Sequence, residues 1–134
     1  MNPRIDELQD WANLQVLQRH TLSPRATSIP YADRLQAIAH DRESSPYYLS
    51  LNGPWKFCYS DCPEDAPQRF YEESFSFEDW DDLPVPSNWQ LHGYGVPLYS
   101  SSKYPFPVDP PHVPALNPTG SYLRTFEVPE HWTG

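Results

Sequence analysis

Acidic side chains of this sequence come closest to a catalytic or metal-binding pattern. Glu78, Asp79, Asp81 and Asp82 surround Trp80. Calcium loops place their oxygen ligands at alternating positions and include a glycine for the turn. A pair of acid and base groups must lie on either side of the bond that is broken. Neither arrangement fits this spacing, so the cluster is typical of a solvated acidic turn.

The stretch from residue 81 to residue 122 is the most unusual part of the chain. It is dense in proline and aromatic residues and shows neither a helical nor a sustained two-residue apolar period. Each proline fixes its own φ and restricts the residue before it. The prolines of this stretch are Pro84, Pro86, Pro97, Pro105, Pro107, Pro110, Pro111, Pro114 and Pro118. The sequence therefore predicts a stiff path that presents a surface.

The side chains between these prolines combine rings with hydrogen-bonding groups: Asn88, Gln90, His92, Tyr94, Tyr99, Ser101 and Tyr104. Rings match the apolar face of a pyranose, and amides or hydroxyls match its hydroxyl rim. A disordered proline-rich linker is the alternative, but such linkers rarely carry this many aromatic and aliphatic residues. Asp109 lies inside the rigid stretch, and we expect it to bind a ligand or to act as a structural cap.

Three segments resemble a known family. They are VPSNWQLHGYGVPLY (85–99), KYPFPVDPPHVP (103–114) and NPTGSYLRTF (117–126). In this order and spacing they resemble the N-terminal sugar-binding domain of the β-galactosidases of glycoside hydrolase family 2. The segments LNGPWKF (51–57) and DWANLQVLQRH (10–20) fit the same family. The PFPVDPP and NPTGSY blocks point to its galactosidase branch.

The resemblance implies the N-terminal portion of an enzyme that hydrolyses terminal β-D-galactosyl residues by a retaining mechanism. Retaining glycosidases use two carboxyl groups roughly 5 Å apart. In this family both lie on a later (β/α)₈ barrel. We therefore expect no catalytic residue in this chain, and we expect the chain alone to be inactive. Its implied role is to position substrate and to make subunit contacts.

The resemblance also implies which residues meet the substrate. The family position that commonly carries Asn or Asp falls on Ser101, which can still donate and accept one hydrogen bond. On this basis we expect Ser101 and Tyr99 to bind the galactoside. Asp109 is added as a candidate only because of its place in the rigid stretch. Trp89 and Tyr94 are expected to pack and to make the loop rigid.

Only the same family resemblance suggests a metal site. Asp10 and Asn13 match positions that can contribute to a metal site in the family. The other ligands would lie outside this chain, so we predict no metal or other cofactor for it. The parent enzyme is expected to require Mg²⁺ and Na⁺.

The strand signals favour an all-β fold. Residues 47–60 alternate apolar and polar side chains on either side of Gly53, which predicts two strands joined by a tight turn or one bent strand with a glycine bulge. Residues 121–128 form another alternating run. A jelly roll needs about eight strands, and fewer are visible here. We predict an incomplete jelly-roll-type β-sandwich, resembling galactose-binding domains and cut within the domain. Residues 1–46 are expected to form an extended arm with a short helical segment, and residues 47–134 the jelly-roll part.

The composition argues against two classes of partner and indicates the cellular compartment of the protein. The net charge of -9 and the pI near 4.8 argue against nucleic acid and against anionic membrane surfaces. No apolar run approaches the roughly 20 residues of a membrane span, and the N-terminus lacks the apolar core of a signal peptide. We expect a cytoplasmic protein in which Cys58 and Cys62 are free thiols.

Two other functions stay open at this point. The chain could be a stand-alone carbohydrate-binding module, or a segment that folds on docking to a larger glycosidase subunit. The expected partners are a β-galactoside, the remaining domains of the same enzyme and further copies of the parent, as a homo-oligomer.

Overall fold

The computed structural model describes residues 9–99, 101 and 104–132. Its centre is a sheet of three strands, β1 (Gly53–Ser60), β2 (Asp81–Val85) and β3 (Thr119–Leu123). The sheet is antiparallel, with the strand order β2-β1-β3. The single α-helix in this part of the chain, α1, runs from Arg34 to Ala39. The prediction of an all-β chain with little helix is confirmed.

The segments outside the sheet and α1 contain short 3-10 turns: Asp10–Ala12, Arg42–Ser44, Pro63–Asp65, Trp89–His92 and Glu130–Trp132. Helix α1 begins where the carboxylate of Asp33 accepts the N–H groups of Leu35 and Gln36 at 2.8 and 3.0 Å. It ends at His40, which has a left-handed φ of 55°. No helix in the described residues is long and apolar enough to cross a membrane.

Strand β1 is shorter than the alternating run that predicted it. The run starts at residue 47, whereas the strand starts at Gly53, where φ is +131°. The carbonyl of Leu51 accepts the indole N–H of Trp55 at 2.7 Å and a guanidinium N–H of Arg124 at 2.8 Å. These bonds satisfy the backbone before the strand with side chains instead of a neighbouring strand. Residues 47–52 therefore stay outside the sheet.

The core lies on one face of the sheet. Strand register places Phe57 opposite Asp81 of β2 and opposite Tyr122 of β3. Because alternate residues share a face, Trp55 and Leu83 lie on the same side as Phe57. Phe57 and Leu83 are each only 1% exposed and are the buried apolar side chains of the described residues.

Gly120 lets another part of the chain approach this core. A Cβ atom at this position would lie 2.3 Å from Cζ3 of Trp89 and 2.7 Å from Cε2 of Phe57. Real Cβ atoms do not approach carbon so closely, and both neighbours are rigid rings. The absence of a side chain at Gly120 therefore makes room for Trp89 over β3.

We expect Gly120→Ala to lower the free energy of unfolding by about 1–3 kcal/mol, the usual cost of overpacking a core. The added methyl group must displace Trp89 or Phe57. Urea unfolding, followed by tryptophan fluorescence, measures the change.

Trp89→Leu provides the control because it removes the ring that the new methyl group meets. The two substitutions together should cost less than the sum of their separate costs. Strict additivity would contradict the close packing of Trp89 on Gly120.

Candidate functional site

An aromatic cluster around Phe57 holds the first part of the proline-rich stretch against the sheet. The Phe57 ring centroid lies 4.8 Å from those of Tyr94 and Tyr122, and 5.8 Å from that of Trp89. Tyr59 stacks on Tyr94 at 6.0 Å with an interplanar angle of 29°. The prediction that Trp89 and Tyr94 pack is confirmed.

A hydrogen bond fixes the far side of the same loop. The Tyr94 hydroxyl donates to Oδ2 of Asp81, the first residue of β2, at 2.5 Å. This bond, reinforced by partial burial, raises the pKa of Tyr94 from 10.0 to about 12. The 3-10 turn before Tyr94 ends at Gly93, whose φ of 93° reverses the chain. Residues 89–94 are thus held by both a ring contact and a polar contact.

Beyond this anchor the chain moves onto the surface. Tyr99 is 93% exposed, and Ser101 is also exposed. Asp109 is exposed as well, and its backbone carbonyl accepts the N–H of His112 at 2.8 Å in a turn. The structure therefore presents Ser101, Tyr99 and Asp109 to solvent, where a ligand can reach them. Their binding of a ligand stays a prediction.

The acidic run before the loop has a more specific structural role than its spacing indicated. Asp81 accepts the Tyr94 hydroxyl, and Asp82 forms an ion pair with Lys56 at 3.1 Å. Sequence reasoning missed Asp81 as the loop anchor and assigned it to a solvated turn. The available signal was the alternation of residues 81, 83 and 85, which marks a strand with Asp81 on the face of Leu83.

Asp10 and Asn13, which match metal-site positions of the family, both form hydrogen bonds within this chain. Asp10 forms an ion pair with Arg19, whose Nη2 lies 2.7 Å from Oδ1 of Asp10, and Arg19 lowers the pKa of this carboxyl. Oδ1 of Asn13 accepts the N–H of Gln15 at 3.0 Å. Within the described residues, no three His, Cys, Asp or Glu side chains are grouped to hold a metal ion. A guanidinium beside Asp10 does not fit a cation site, so we assign no step to a metal here.

The bond between Tyr94 and Asp81 predicts a pH-dependent contribution to stability. The folded pKa of Tyr94 lies above its ordinary value of 10.0, so the neutral phenol is favoured by folding. The stabilisation is fully present below pH 10 and is lost as the pH rises through about 12. Below pH 10, Tyr94→Phe should cost about 1 kcal/mol, after allowance for the exposure of Asp81.

Urea unfolding of both proteins as a function of pH measures this difference. The gap between the wild-type chain and Tyr94→Phe should close at the alkaline end. Tyr99→Phe is the matched control, since its exposed hydroxyl should leave stability unchanged at every pH. A gap of constant size would contradict the bond.

Comparison with known proteins agrees with the architecture and with the sequence motifs. The family described as "Glycosyl hydrolases family 2, sugar binding domain" matches residues 48–134. A protein of Vibrio vulnificus (strain YJ016) named "Beta-galactosidase" is 44% identical over 119 residues, 88% of this chain and 11% of that protein. A "Beta-galactosidase" of Yersinia pestis bv. Antiqua (strain Angola) is 41% identical over 130 residues, 97% of this chain and 12% of that protein.

A "Beta-galactosidase" of Yersinia pseudotuberculosis serotype O:3 (strain YPIII) gives the same values of 41%, 97% and 12%. The chain thus spans about a tenth of the length of these relatives. The family match covers the sheet and the anchored loop. The chain belongs to the sugar-binding domain family of glycosyl hydrolases family 2.

Proposed function

We propose that this chain is the N-terminal part of a β-galactosidase that hydrolyses terminal β-D-galactosyl residues with retention of configuration. The observation that carries the proposal is the identity of 41–44%, along 88–97% of the chain, to proteins named for that activity. In this proposal the chain positions the galactoside and makes subunit contacts.

The anchored loop supports the positioning role. Residues 89–94 are fixed on the sheet, and a few residues later Tyr99 and Ser101 are exposed to solvent. The Tyr99 ring can stack against the apolar face of a sugar, and the Ser101 hydroxyl can exchange one hydrogen bond with its rim. Asp109 can accept a hydrogen bond from a sugar hydroxyl. A rigid support lowers the entropy that such groups lose on binding.

The chemical step belongs to other parts of the polypeptide in this proposal. A retaining glycosidase needs a nucleophilic carboxylate and an acid/base carboxyl group roughly 5 Å apart. Here Asp81 already accepts the Tyr94 hydroxyl, and Asp82 already pairs with Lys56. Asp81 therefore holds the loop and Asp82 joins β2 to β1, so both carboxylates have structural partners within this chain.

The proposal also covers the domain organisation, the oligomeric state and the cellular location of the parent enzyme. Residues 1–46 form an arm that makes subunit contacts in a homo-oligomer, and residues 47–134 contribute to a jelly-roll domain of a cytoplasmic enzyme. The exposed leucines of the arm support this role, since Leu17 and Leu22 are 90% and 87% exposed. Apolar side chains this exposed are typical of segments that pack against other protein.

The accessible surface of the chain favours a second candidate, docking to a larger glycosidase subunit, over a stand-alone module. The solvent-accessible surface of the chain is 11810 Å². A compact monomer of its 15.6 kDa mass should expose roughly 7,200 Å². The excess surface supports a chain that is covered by further protein, covalently joined to it or not.

Enzyme assays of two polypeptides test the proposed function. The native-length polypeptide that carries this sequence should hydrolyse a chromogenic β-galactoside, and the 134-residue chain should not. Hydrolysis of a β-glucuronide but not of the β-galactoside would contradict the proposal. Activity of the 134-residue chain alone would contradict the assignment of catalysis to other parts.

Ser101→Ala in the native-length enzyme tests the positioning role. Loss of one hydrogen bond to the sugar costs about 0.5–1.5 kcal/mol, which corresponds to a decrease in kcat/KM of roughly 2- to 10-fold. The exposed hydroxyl should contribute little to folding, so the thermal midpoint should stay within experimental error.

Ser76→Ala is the matched control because Ser76 is exposed on the loop before β2. It should leave both kinetics and stability unchanged. Unchanged kinetics together with a lower thermal midpoint in Ser101→Ala would show that Ser101 has a structural role.

A further inference from the structure

The 3-10 turn Glu130–Trp132 contacts the point where the arm joins the rest of the chain. Nε2 of His131 lies 2.6 Å from the carbonyl oxygen of Pro46, and the indole N–H of Trp132 donates to the same oxygen at 2.9 Å. The donors are 85 and 86 positions away from Pro46 in the sequence, so the two bonds join distant parts of the chain. We call these two bonds the arm latch.

The chemistry of the acceptor shows how both donors can act at once. A carbonyl oxygen only accepts, so Nε2 of His131 carries the hydrogen of its bond. A carbonyl oxygen has two lone pairs, and His131 and Trp132 together occupy both. The His131 ring also lies 6.2 Å from the Tyr47 ring, measured between centroids. The turn therefore holds both Pro46 and the residue that follows it.

Ser45 makes the arm side of this junction rigid. This residue is 4% exposed, and its hydroxyl donates to the Pro30 carbonyl at 2.6 Å and accepts the N–H of Tyr47 at 3.1 Å. Pro46 restricts the residue before it to extended conformations, and the observed φ and ψ of Ser45 are -75° and 128°. Residues 30–47 are thus closed into one unit, which the arm latch attaches to the turn at residues 130–132.

The arm latch lies outside the apolar core. Trp132 is 36% exposed, and His131 and Pro46 are exposed as well, whereas Phe57 in the core is 1% exposed. The apolar contribution to stability is proportional to the area removed from water. Two hydrogen bonds on an exposed carbonyl remove little such area, so the sheet does not depend on them. They restrict the direction in which the arm leaves Tyr47.

We infer that the arm latch sets the course of the arm, which makes His131 and Trp132 positioning residues for the subunit contacts of the arm. This inference rests on the proposed function, because those contacts belong to the parent enzyme. Without the latch, the chain would move more freely about Pro46 and Tyr47, and docking of the arm would cost more conformational entropy. A latched arm has already lost part of this freedom, so it binds another subunit more tightly.

Hydrogen exchange of the native-length enzyme tests the arm latch with variants that remove only its donors. His131→Phe and Trp132→Phe each keep a ring and leave the Pro46 carbonyl with its other donor. The double variant leaves this carbonyl with neither donor, so its effect should exceed the combined effects of the single variants. The reporter is the Tyr48 N–H, which bonds with the Ser45 carbonyl at 3.3 Å. Its exchange should accelerate at most about twofold in each single variant and about tenfold in the double variant.

His92→Phe is the matched control, because His92 is exposed and lies at the end of another 3-10 turn. It should leave exchange at Tyr48 unchanged. The N–H of Cys58, which pairs with Ser121 in the sheet, reports on the stability of the whole domain. Equal acceleration at Cys58 and Tyr48 in the double variant would show a merely structural role for the turn and would overturn the inference. Unchanged exchange at Tyr48 would also overturn it.

Sedimentation of the same enzyme measures the consequence for assembly. The subunit dissociation constant should rise about tenfold in the double variant and stay unchanged in His92→Phe. An unchanged constant in the double variant would overturn the inference, and so would a wild-type enzyme that is monomeric at every concentration. The galactosidase assay is independent of these results. An oligomer without that activity, but with both effects of the double variant, would refute the proposed reaction and leave the arm latch standing.

Discussion

The packing of aromatic rings on Phe57 is the interaction on which the rest of this structure depends. Only Phe57 and Leu83 are buried apolar side chains among the described residues. Burial of one such side chain contributes about 1.5–3 kcal/mol, and each well-oriented ring pair adds about 0.5–1.5 kcal/mol. With so small a core, the contacts of Trp89, Tyr94 and Tyr122 with Phe57 supply much of the apolar stabilisation. They join the central strand, the edge strand β3 and the proline-rich stretch.

The same packing explains how a loop with little regular structure can be held in place. Gly120 leaves room for Trp89, and Asp81 accepts the Tyr94 hydroxyl. Ring contacts restrict the loop from one side and the hydrogen bond restricts it at its end. Pro97 then limits the conformations of the chain as it continues towards Tyr99 and Ser101. The proposed binding residues are thus positioned by the backbone that precedes them.

Patterns of neighbouring residues in the sequence predicted the central strand and the packing of two aromatic side chains. Alternation identified β1 around Trp55 and Phe57, and ring density identified the packing of Trp89 and Tyr94. Among the described residues, no strand forms before Gly53, where the Leu51 carbonyl is bonded by the side chains of Trp55 and Arg124, and the bond from Arg124, 73 residues away in the chain, cannot be read from spacing. The roles of Asp81 and Gly120 were missed because their partners Tyr94 and Trp89 reach them through the folding of the loop, which spacing does not show either. Roles for Ser101 and Tyr99 came from the family resemblance and the role of Asp109 from its place in the rigid stretch, and all three remain predictions.

Hydrogen exchange of residues 89–94 in the native-length polypeptide, compared between the wild type and Phe57→Leu, tests the central role of the aromatic packing most directly. Two backbone bonds report on this loop: Leu91 N–H to the Asn88 carbonyl at 3.0 Å, and Tyr94 N–H to the Trp89 carbonyl at 3.3 Å. If the rings hold the loop, the smaller side chain should accelerate exchange of these two amides by about tenfold, equivalent to about 1.4 kcal/mol. Unchanged exchange at Leu91 and Tyr94 would contradict the account and show that the hydrogen bond from Tyr94 to Asp81, with the flanking prolines, fixes the loop without the rings.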